Sequence, residues 1–243
     1  MFPRDVSGDG FRVDDTLRHA LGSMYFTFAV AVVALAVLVV RNRARGQPLA
    51  TVPHPSFTRG TSIAAALIAL TVFVGIDLRL ALRARSDLTE HLWRFPRGDN
   101  VVRLEVLARQ WSWQCRNPGP DGQFGTADDI TALDDLVVPI GRPVSVQLRA
   151  IDVVHGFFLP EFRVRQDAIP GRVTRTWFRP VQRGTFQLLC GQFCGQGHYR
   201  MHGRVRVLSA TDYARWLRDA SADALRAHAG TRSLDRTAWT WID

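Results

Sequence analysis

Two apolar runs dominate the first third of the chain. Leu21–Val40 carries no formal charge over twenty residues, the length of helix that crosses a bilayer. Gly60–Ile76 is uncharged over seventeen residues and reaches spanning length when it continues to Leu82. The first run lies too far from the terminus for a typical signal peptide. The pattern predicts a membrane-spanning hairpin with helices over about 21–40 and 60–82. Two buried helices of a soluble protein are the alternative.

After residue 100 the apolar residues come in short, partly alternating runs separated by Gly, Pro and Asp, a pattern typical of β-strands. The predicted strands are Val101–Leu107, Val144–Ile151, Arg172–Phe178, Thr185–Leu189 and Gly203–Leu208. Between the first two, Pro118–Asp129 predicts a polar surface loop, because its acidic residues lack the spacing of a calcium loop. Short strands at this spacing predict a Greek-key sandwich or barrel.

These elements predict a mainly β protein in three parts. Residues 1–97 form a transmembrane α-helical hairpin that anchors the chain. Residues 98–209 form the Greek-key β domain, and residues 210–243 form a C-terminal helix followed by a tail. The helix is predicted over 210–229, with Tyr213, Trp216, Leu217 and Leu225 on one face.

The net charge of +9 arises from 31 basic residues, all of them Arg, against 22 acidic residues. The arginines form no basic stripe interleaved with aromatic residues and no recognisable binding motif. Nucleic acid is therefore not expected as a partner. From residue 98 onward, 19 Arg face 15 acidic residues, so much of the positive excess flanks the apolar runs. Membrane topology explains this excess better than a polyanionic partner does.

Charge also predicts the orientation of the hairpin. The segment between the helices carries four arginines and no acidic residue: Arg41, Arg43, Arg45 and Arg59. The positive-inside tendency places this short loop in the cytoplasm and both termini outside. Arg79, Arg83 and Arg85 follow the second run and oppose this orientation. The hairpin is nevertheless preferred, because arginine in a short loop is the stronger determinant.

The segment Cys190–Met201 (CGQFCGQGHYRM) gathers two thiols, an imidazole and a thioether within twelve residues. Soft sulfur ligands select copper, zinc or iron–sulfur clusters, and imidazole suits copper and zinc. The thioether of Met201 favours copper over zinc. Two thiolates so close in sequence allow both sulfurs to bridge two copper ions. A second imidazole is then required, and His155, at the end of a predicted strand, is the candidate.

Three motifs accompany the hairpin in a characteristic order: Gln110–Trp113 (QWSW), Asp152–His155 (DVVH) continuing to Asp167–Arg172 (DAIPGR), and Cys190–Met201. With them the chain resembles subunit II of the haem–copper respiratory oxidases, the cytochrome c oxidase subunit that carries a binuclear copper centre called CuA. The resemblance implies a cupredoxin-like Greek-key β-barrel for the outer domain. It also implies an electron relay that belongs to an enzyme complex but does not itself reduce oxygen.

The resemblance assigns roles residue by residue. The implied copper ligands are His155, Cys190, Gln192, Cys194, His198 and Met201. Both cysteines would bridge the two copper ions, each histidine would bind one of them, and Met201 would be a weak ligand. Gln192 would contribute through its backbone carbonyl. Trp111 would be the residue at which electrons arrive from the donor.

Two departures from the family pattern stand out. The family usually has Glu at the position of Gln192, where the carboxylate helps to hold Mg²⁺ at the boundary with subunit I. Gln offers only a neutral oxygen, so Mg²⁺ is uncertain here. The family also docks cytochrome c through carboxylates, whereas this outer domain is net basic. The implied partners are subunits I and III, a cytochrome c-type donor and the membrane. The copper domain would face the periplasm of a bacterial inner membrane.

Other functions compete with this interpretation. A nitric oxide reductase also uses a CuA subunit of this type, and the chain offers little to separate the two. A membrane-tethered copper chaperone or thiol oxidoreductase is a second alternative, but its thioredoxin-like βαβ pattern is missing. A structural zinc site would leave Met201 without a role. Quinol oxidase subunits share the fold and lack the copper ligands.

Overall fold

The computed structural model describes residues 3–43 and 55–230. These residues form two units. One unit is helical and runs from Arg12 to Trp93; the other comprises residues 3–11 together with the chain from Arg94 onward. The predicted tail after residue 230, and residues 44–54 with Arg45 of the predicted cytoplasmic loop, lie outside the described residues.

Two long helices make up the helical unit. Helix α1 spans Gly10–Arg43. The second helical stretch comprises α2 (Pro55–Val72), a π-helical segment Phe73–Leu78, α3 (Arg79–Asp87) and a second π-helical segment Leu88–Leu92. By length and composition, Gly10–Arg41 and Arg59–Leu92 can each cross a membrane. Both helices extend beyond the apolar runs, because apolar character marks only the part suited to lipid.

The outer unit contains ten strands. They are β1 (Val102–Arg109), β2 (Ser112–Asn117), β3 (Ile130–Leu133), β4 (Asp135–Pro139), β5 (Val144–Ala150), β6 (His155–Leu159), β7 (Val164–Ala168), β8 (Thr174–Phe178), β9 (Gly184–Cys190) and β10 (His202–Leu208). One sheet has the order β3-β2-β1-β5-β8 and the other β4-β10-β9-β6-β7. The chain crosses repeatedly between the sheets, which confirms the predicted Greek-key architecture.

The core of the outer unit lies between the two sheets. In β5 buried and partly exposed residues alternate along the strand, as expected for one face turned inward. Trp113 and Phe157 are fully buried, and their rings meet edge to face with centroids 5.8 Å apart. Trp113 also contacts the ring of His155 edge-on at 6.2 Å. Large aromatic side chains thus fill the end of the core where the Cys190–Met201 loop lies.

Residues 3–9 pack into the outer unit. Val6 is only 2% exposed and belongs to the hydrophobic core. Its amide donates to the carbonyl of Glu161 at 2.9 Å, and its carbonyl accepts from the amide of Val181 at 2.9 Å. The sequence placed all of residues 1–97 in the membrane anchor, and the structure differs here. A single buried valine in a polar stretch gives no periodicity, so this docking depends on tertiary contacts.

Helix α4 spans Ala210–Gly230 and confirms the predicted C-terminal helix. Tyr213, near its start, is buried, and its hydroxyl accepts a hydrogen bond from Asn117 Nδ2 at 3.0 Å. Pro118–Asp129 is the turn-rich connection between β2 and β3, as predicted. Arg116 fixes its base through an ion pair of 2.7 Å with Glu105, both side chains being almost fully buried.

Candidate metal centre

The ligand loop is held between two paired strands. β9 ends at Cys190, and the chain returns through a 3-10 turn at His198–Arg200 into β10. The amide of Cys190 donates to the carbonyl of Met201 at 3.1 Å, which closes the loop at its base. β6 begins at His155 and pairs with β9 in antiparallel register. Residues distant in sequence therefore meet at one end of the sandwich.

Five side chains bring their donor atoms together at this end. The sulfurs of Cys190 and Cys194 lie 3.7 Å apart. The sulfur of Cys194 lies 3.5 Å from His198 Nδ1 and 3.8 Å from the thioether sulfur of Met201. That thioether sulfur lies 3.1 Å from His155 Nδ1. Two thiols, two imidazoles and one thioether thus converge on one small volume.

The two thiols differ in acidity. Burial raises the pKa of Cys190, but hydrogen bonds from His155, from the Gln192 amide and from other donors outweigh it and lower the pKa to about 6. Burial raises the pKa of Cys194 to about 12, and the adjacent Cys190 adds to the rise. Without metal the pair therefore shares one negative charge at neutral pH. A bound cation would favour ionisation of both.

Asp152 orients the imidazole of His155. Its Oδ1 lies 2.8 Å from His155 Nε2, so a proton is held on Nε2 and Nδ1 faces the sulfurs. Burial lowers the pKa of His155, but hydrogen bonds to Cys190 and Asp152 outweigh it and raise this pKa, and Nδ1 would become a lone-pair donor when a metal displaces its proton. The same carboxylate accepts hydrogen bonds from the amides of Gln110 and Val153. Burial raises the pKa of Asp152, but the bonds from His155, Gln110 and Val153 outweigh it, so this pKa is lowered.

Trp111 lies against the ligand loop. Its indole N–H donates to the carbonyl of Cys194 at 3.1 Å, and the Gln110–Trp111 peptide bond is cis. A Cβ at Gly197 would overlap the Trp111 ring, and one at Gly195 would come within 3.6 Å of it. Glycine at these two positions lets the indole lie on the loop backbone while 37% of the residue stays exposed.

Comparison with known proteins agrees with this geometry. A family model described as "Cytochrome C oxidase subunit II, periplasmic domain" matches residues 118–208. The chain is 32% identical over 228 residues to an alternative cytochrome c oxidase subunit 2 of Bradyrhizobium diazoefficiens, covering 84% of this chain and 79% of that protein. The chain belongs to the cytochrome c oxidase subunit II family. It is thus a subunit of a haem–copper oxidase complex, anchored by apolar helices and built on the family's cupredoxin-like fold.

Other relatives of this subunit cover less of it. A cytochrome c oxidase subunit 2 of Cereibacter sphaeroides is 42% identical over 85 residues, which is 35% of this chain and 28% of that protein. The crystal structure of the periplasmic domain of cytochrome oxidase subunit II from Bradyrhizobium japonicum is 28% identical. It aligns with a TM-score of 0.46 over 53% of this chain and 97% of that structure.

The subunit brings all the sequence-predicted ligands into one place. His155, Cys190 and Cys194 form a group of potential metal ligands whose donor atoms lie within 4.8 Å of one another. Gln192 presents its backbone carbonyl 3.1 Å from the sulfur of Cys190. Its side-chain oxygen instead faces Arg165, whose Nη2 lies 3.4 Å away.

Sequence reasoning gave no role to two residues of this end of the subunit. The sequence marks Asp152 only as part of the DVVH motif, although an acidic residue three positions before a candidate ligand histidine is a usable signal. Arg165 holds the loop by donating to the carbonyl of Gly191 at 2.9 Å, a contact with no sequence signature. Cys115 stands apart: it is buried and unbridged, and burial raises the pKa of its thiol.

Proposed function

We propose that this subunit receives electrons from a c-type cytochrome and passes them toward haem in subunit I, through a binuclear CuA centre held by the Cys190–Met201 loop and His155. The observation that carries the proposal is the convergence of two thiols, two imidazoles and one thioether on one small volume. When bound, the copper pair would take up and release one electron at a time.

The donor set fits two copper ions. Cys190 and Cys194, with sulfurs 3.7 Å apart, are the proposed bridging ligands. His155 and His198 are the proposed terminal ligands through Nδ1, and Met201 is the weak ligand. The sixth contact is the Gln192 backbone carbonyl, 3.1 Å from a bridging sulfur. Thiolate, imidazole and thioether together favour copper.

The surrounding protein pre-organises these donors. Asp152 fixes the tautomer of His155, and Trp113, which packs on Phe157, supports the ring from the core. Fixed ligands change their positions little between oxidation states, which favours fast electron transfer. Trp111 is the proposed point of electron arrival, because it is exposed and its indole N–H contacts the backbone of a bridging cysteine.

The surface around Trp111 predicts the charge of the donor. Phe193 and Tyr199 are 77% and 80% exposed and provide apolar area on the same loop. The neighbouring charged residues Arg109 and Arg200 are exposed, whereas the carboxylate of Asp152 is engaged by His155 and two amides. We therefore propose a c-type cytochrome whose haem edge is surrounded by neutral or acidic residues, unlike the basic donor usual in the family.

Electron transfer at different salt concentrations tests this charge assignment. Reduction of the subunit by an acidic cytochrome c should slow as ionic strength rises, and Arg200→Glu should slow it at low salt. Arg183→Glu makes the same change in charge at the far end of the sandwich, before β9, and should leave the rate unchanged. The assignment would be contradicted by a basic cytochrome that reduces the subunit faster than the acidic one does and whose reaction slows as salt is added.

Mg²⁺ does not fit the residues that this chain provides. Gln192 offers a neutral amide oxygen, and that oxygen already faces the guanidinium of Arg165 at 3.4 Å. A divalent cation would be repelled by the arginine and would gain no carboxylate. We propose that this subunit contributes no side-chain Mg²⁺ ligand at Gln192, and that Arg165 stabilises the loop on this side instead.

The proposed division of the chain follows the sequence, with one change. Residues 1–97 form the anchor apart from the docked segment 3–9, residues 98–209 form the CuA domain, and residues 210–243 form the terminal helix and tail. The two spans contact subunit I, with subunit III nearby, and the copper domain faces the periplasm. Docking of residues 3–9 supports this topology, because the outer domain and the N-terminus must then lie on the same side.

Electron paramagnetic resonance of the purified, copper-loaded full-length chain tests the function. One electron shared over two equivalent copper ions should give seven hyperfine lines. Cys194→Ser should abolish this spectrum, and Met201→Leu should retain copper with a shifted potential. Cys115→Ser is the matched control, because this thiol lies outside the site. A four-line signal in the unaltered protein, or retention of zinc alone, would refute the binuclear site.

A further inference from the structure

Arginines stand at the outer ends of both membrane-spanning helices, where the positive-inside tendency disfavours them. Arg18 precedes the uncharged run of α1, which begins at Leu21, and Arg79 and Arg83 follow Ile76, where the second run ends. Residues 3–9 belong to the outer domain, so the Arg18 end of α1 faces outward in the proposed topology. Positive charge retained on that side points to an anion bound there.

These arginines converge on one cavity. It lies between α1 and the second helical stretch and has a volume of about 920 Å³. Toward its outer end it is lined by Asp15, Arg18, His19, Arg79 and Arg83. About one helical turn deeper the lining changes to Gly22, Ser23, Gly75 and Ile76. From Asp15 to Ser23 the α-helical rise is about 12 Å, enough to pass from the headgroup layer of a bilayer into its hydrocarbon core.

The cavity carries excess positive charge. Asp15 is its single carboxylate; it pairs with Arg83 at 2.5 Å and lies 3.8 Å from Arg18. Arg79 forms no ion pair within residues 3–43 and 55–230. Three guanidinium groups thus face one carboxylate, and two of the guanidinium charges remain uncompensated. Guanidinium groups bind phosphate oxygens in a bidentate manner, which an ammonium group does not do.

We propose that this cavity binds the phosphate group of an anionic phospholipid. Arg18 and Arg79 contact the phosphate, and the glycerol and first acyl carbons lie along Gly22, Gly75 and Ile76. Basic pockets between membrane helices suit acidic lipid headgroups. A Cβ at Gly22 or Gly75 would meet nothing within 4 Å, so both glycines leave room for a ligand. A free phosphate ion offers the same oxygens but would leave the apolar end of the cavity unfilled.

Lipid retention by the full-length subunit in its oxidase complex tests the site. The complex is equilibrated with phosphatidylcholine vesicles containing phosphatidylglycerol, and native mass spectrometry counts the phosphatidylglycerol that stays bound. The double variant Arg18→Gln/Arg79→Gln should weaken retention about 30-fold, which is roughly fivefold for each arginine. Arg85→Gln, an exposed arginine on the same helix outside the cavity, should change nothing. Gly22→Leu keeps every charge and should block the lipid by filling its place.

A second experiment distinguishes a lipid phosphate group from free inorganic phosphate. In pure phosphatidylcholine, inorganic phosphate is added and its binding is followed by ³¹P magnetic resonance. The proposal is supported if phosphatidylglycerol is lost from the double variant and from Gly22→Leu but is retained by Arg85→Gln. Inorganic phosphate bound as tightly as the lipid would overturn the lipid assignment. Equal retention in all variants would overturn the site, and copper content confirms that each variant is folded.

Discussion

Replacing Asp152 by alanine should lower both the stability of the protein and its affinity for copper, although Asp152 is not itself a proposed copper ligand. The Nε2–H of His155 loses its acceptor at 2.8 Å in a ring that is fully buried. An unsatisfied buried donor costs about 1–3 kcal/mol. The amides of Gln110 and Val153 also lose their acceptor, but both lie at an exposed turn where water replaces it, so each costs about 0.5 kcal/mol or less. The free energy of unfolding should fall by about 1–4 kcal/mol.

Copper binding should suffer separately from stability. With its proton no longer fixed on Nε2, the His155 ring can carry it on Nδ1 and turn its lone pair away, which typically costs 10–100-fold in metal affinity. Competition with a copper chelator measures the affinity, and denaturant unfolding measures the stability. Asp99→Ala, an exposed carboxylate far from the loop, is the control. Unchanged copper affinity in Asp152→Ala would refute the positioning role, even if stability fell.

Three further outcomes follow from the geometry. Copper uptake above pH 8 should release about one proton, from Cys194 with its pKa of about 12, so the affinity for copper should rise about tenfold per pH unit. Proton release in weak buffer measures this, and a copper affinity that does not change with pH would contradict it. Val6→Ala should lower the unfolding free energy of the outer domain by about 2 kcal/mol in calorimetry or denaturant titration, while exposed Arg4→Ala should not. Gly197→Ala should displace Trp111 and slow electron uptake about ten- to hundredfold in stopped-flow reduction, with the copper spectrum retained; an unchanged rate would argue against Trp111.

The sequence predicted the parts of the fold that repeat a simple pattern. Uncharged length revealed both spanning helices, and alternation revealed strands such as β5, whose buried and exposed residues follow a period of two. Strand β4 was missed because Leu136, Val137 and Val138 are buried in succession and a proline ends the run. Strand β6 was missed for a similar reason, since His155–Phe157 are all buried. A short strand covered on both faces has no alternation to detect.

The metal site likewise has a part that the sequence predicted and a part that it did not. Its donor atoms were predictable because copper chemistry restricts them to a few residue types, and four of them lie within twelve residues. The contacts that orient these donor atoms were not predictable, because Asp152 and Arg165 act through loop geometry that only the folded chain defines. The docking of Val6 likewise depends on a carbonyl at Glu161 and an amide at Val181, far away in sequence.

That docking imposes an order on biogenesis. In the proposed topology Val6 reaches the outer face when the first helix inserts, whereas its partners Glu161 and Val181 are synthesised much later. The copper domain can complete its core only after both ends of the hairpin have been translocated. Failure to export the first residues would leave the place of Val6 in the core empty, and the Glu161 carbonyl and the Val181 amide without their partners. Correct membrane insertion is thus a precondition for a finished metal-binding fold, which ties copper loading to a properly inserted chain.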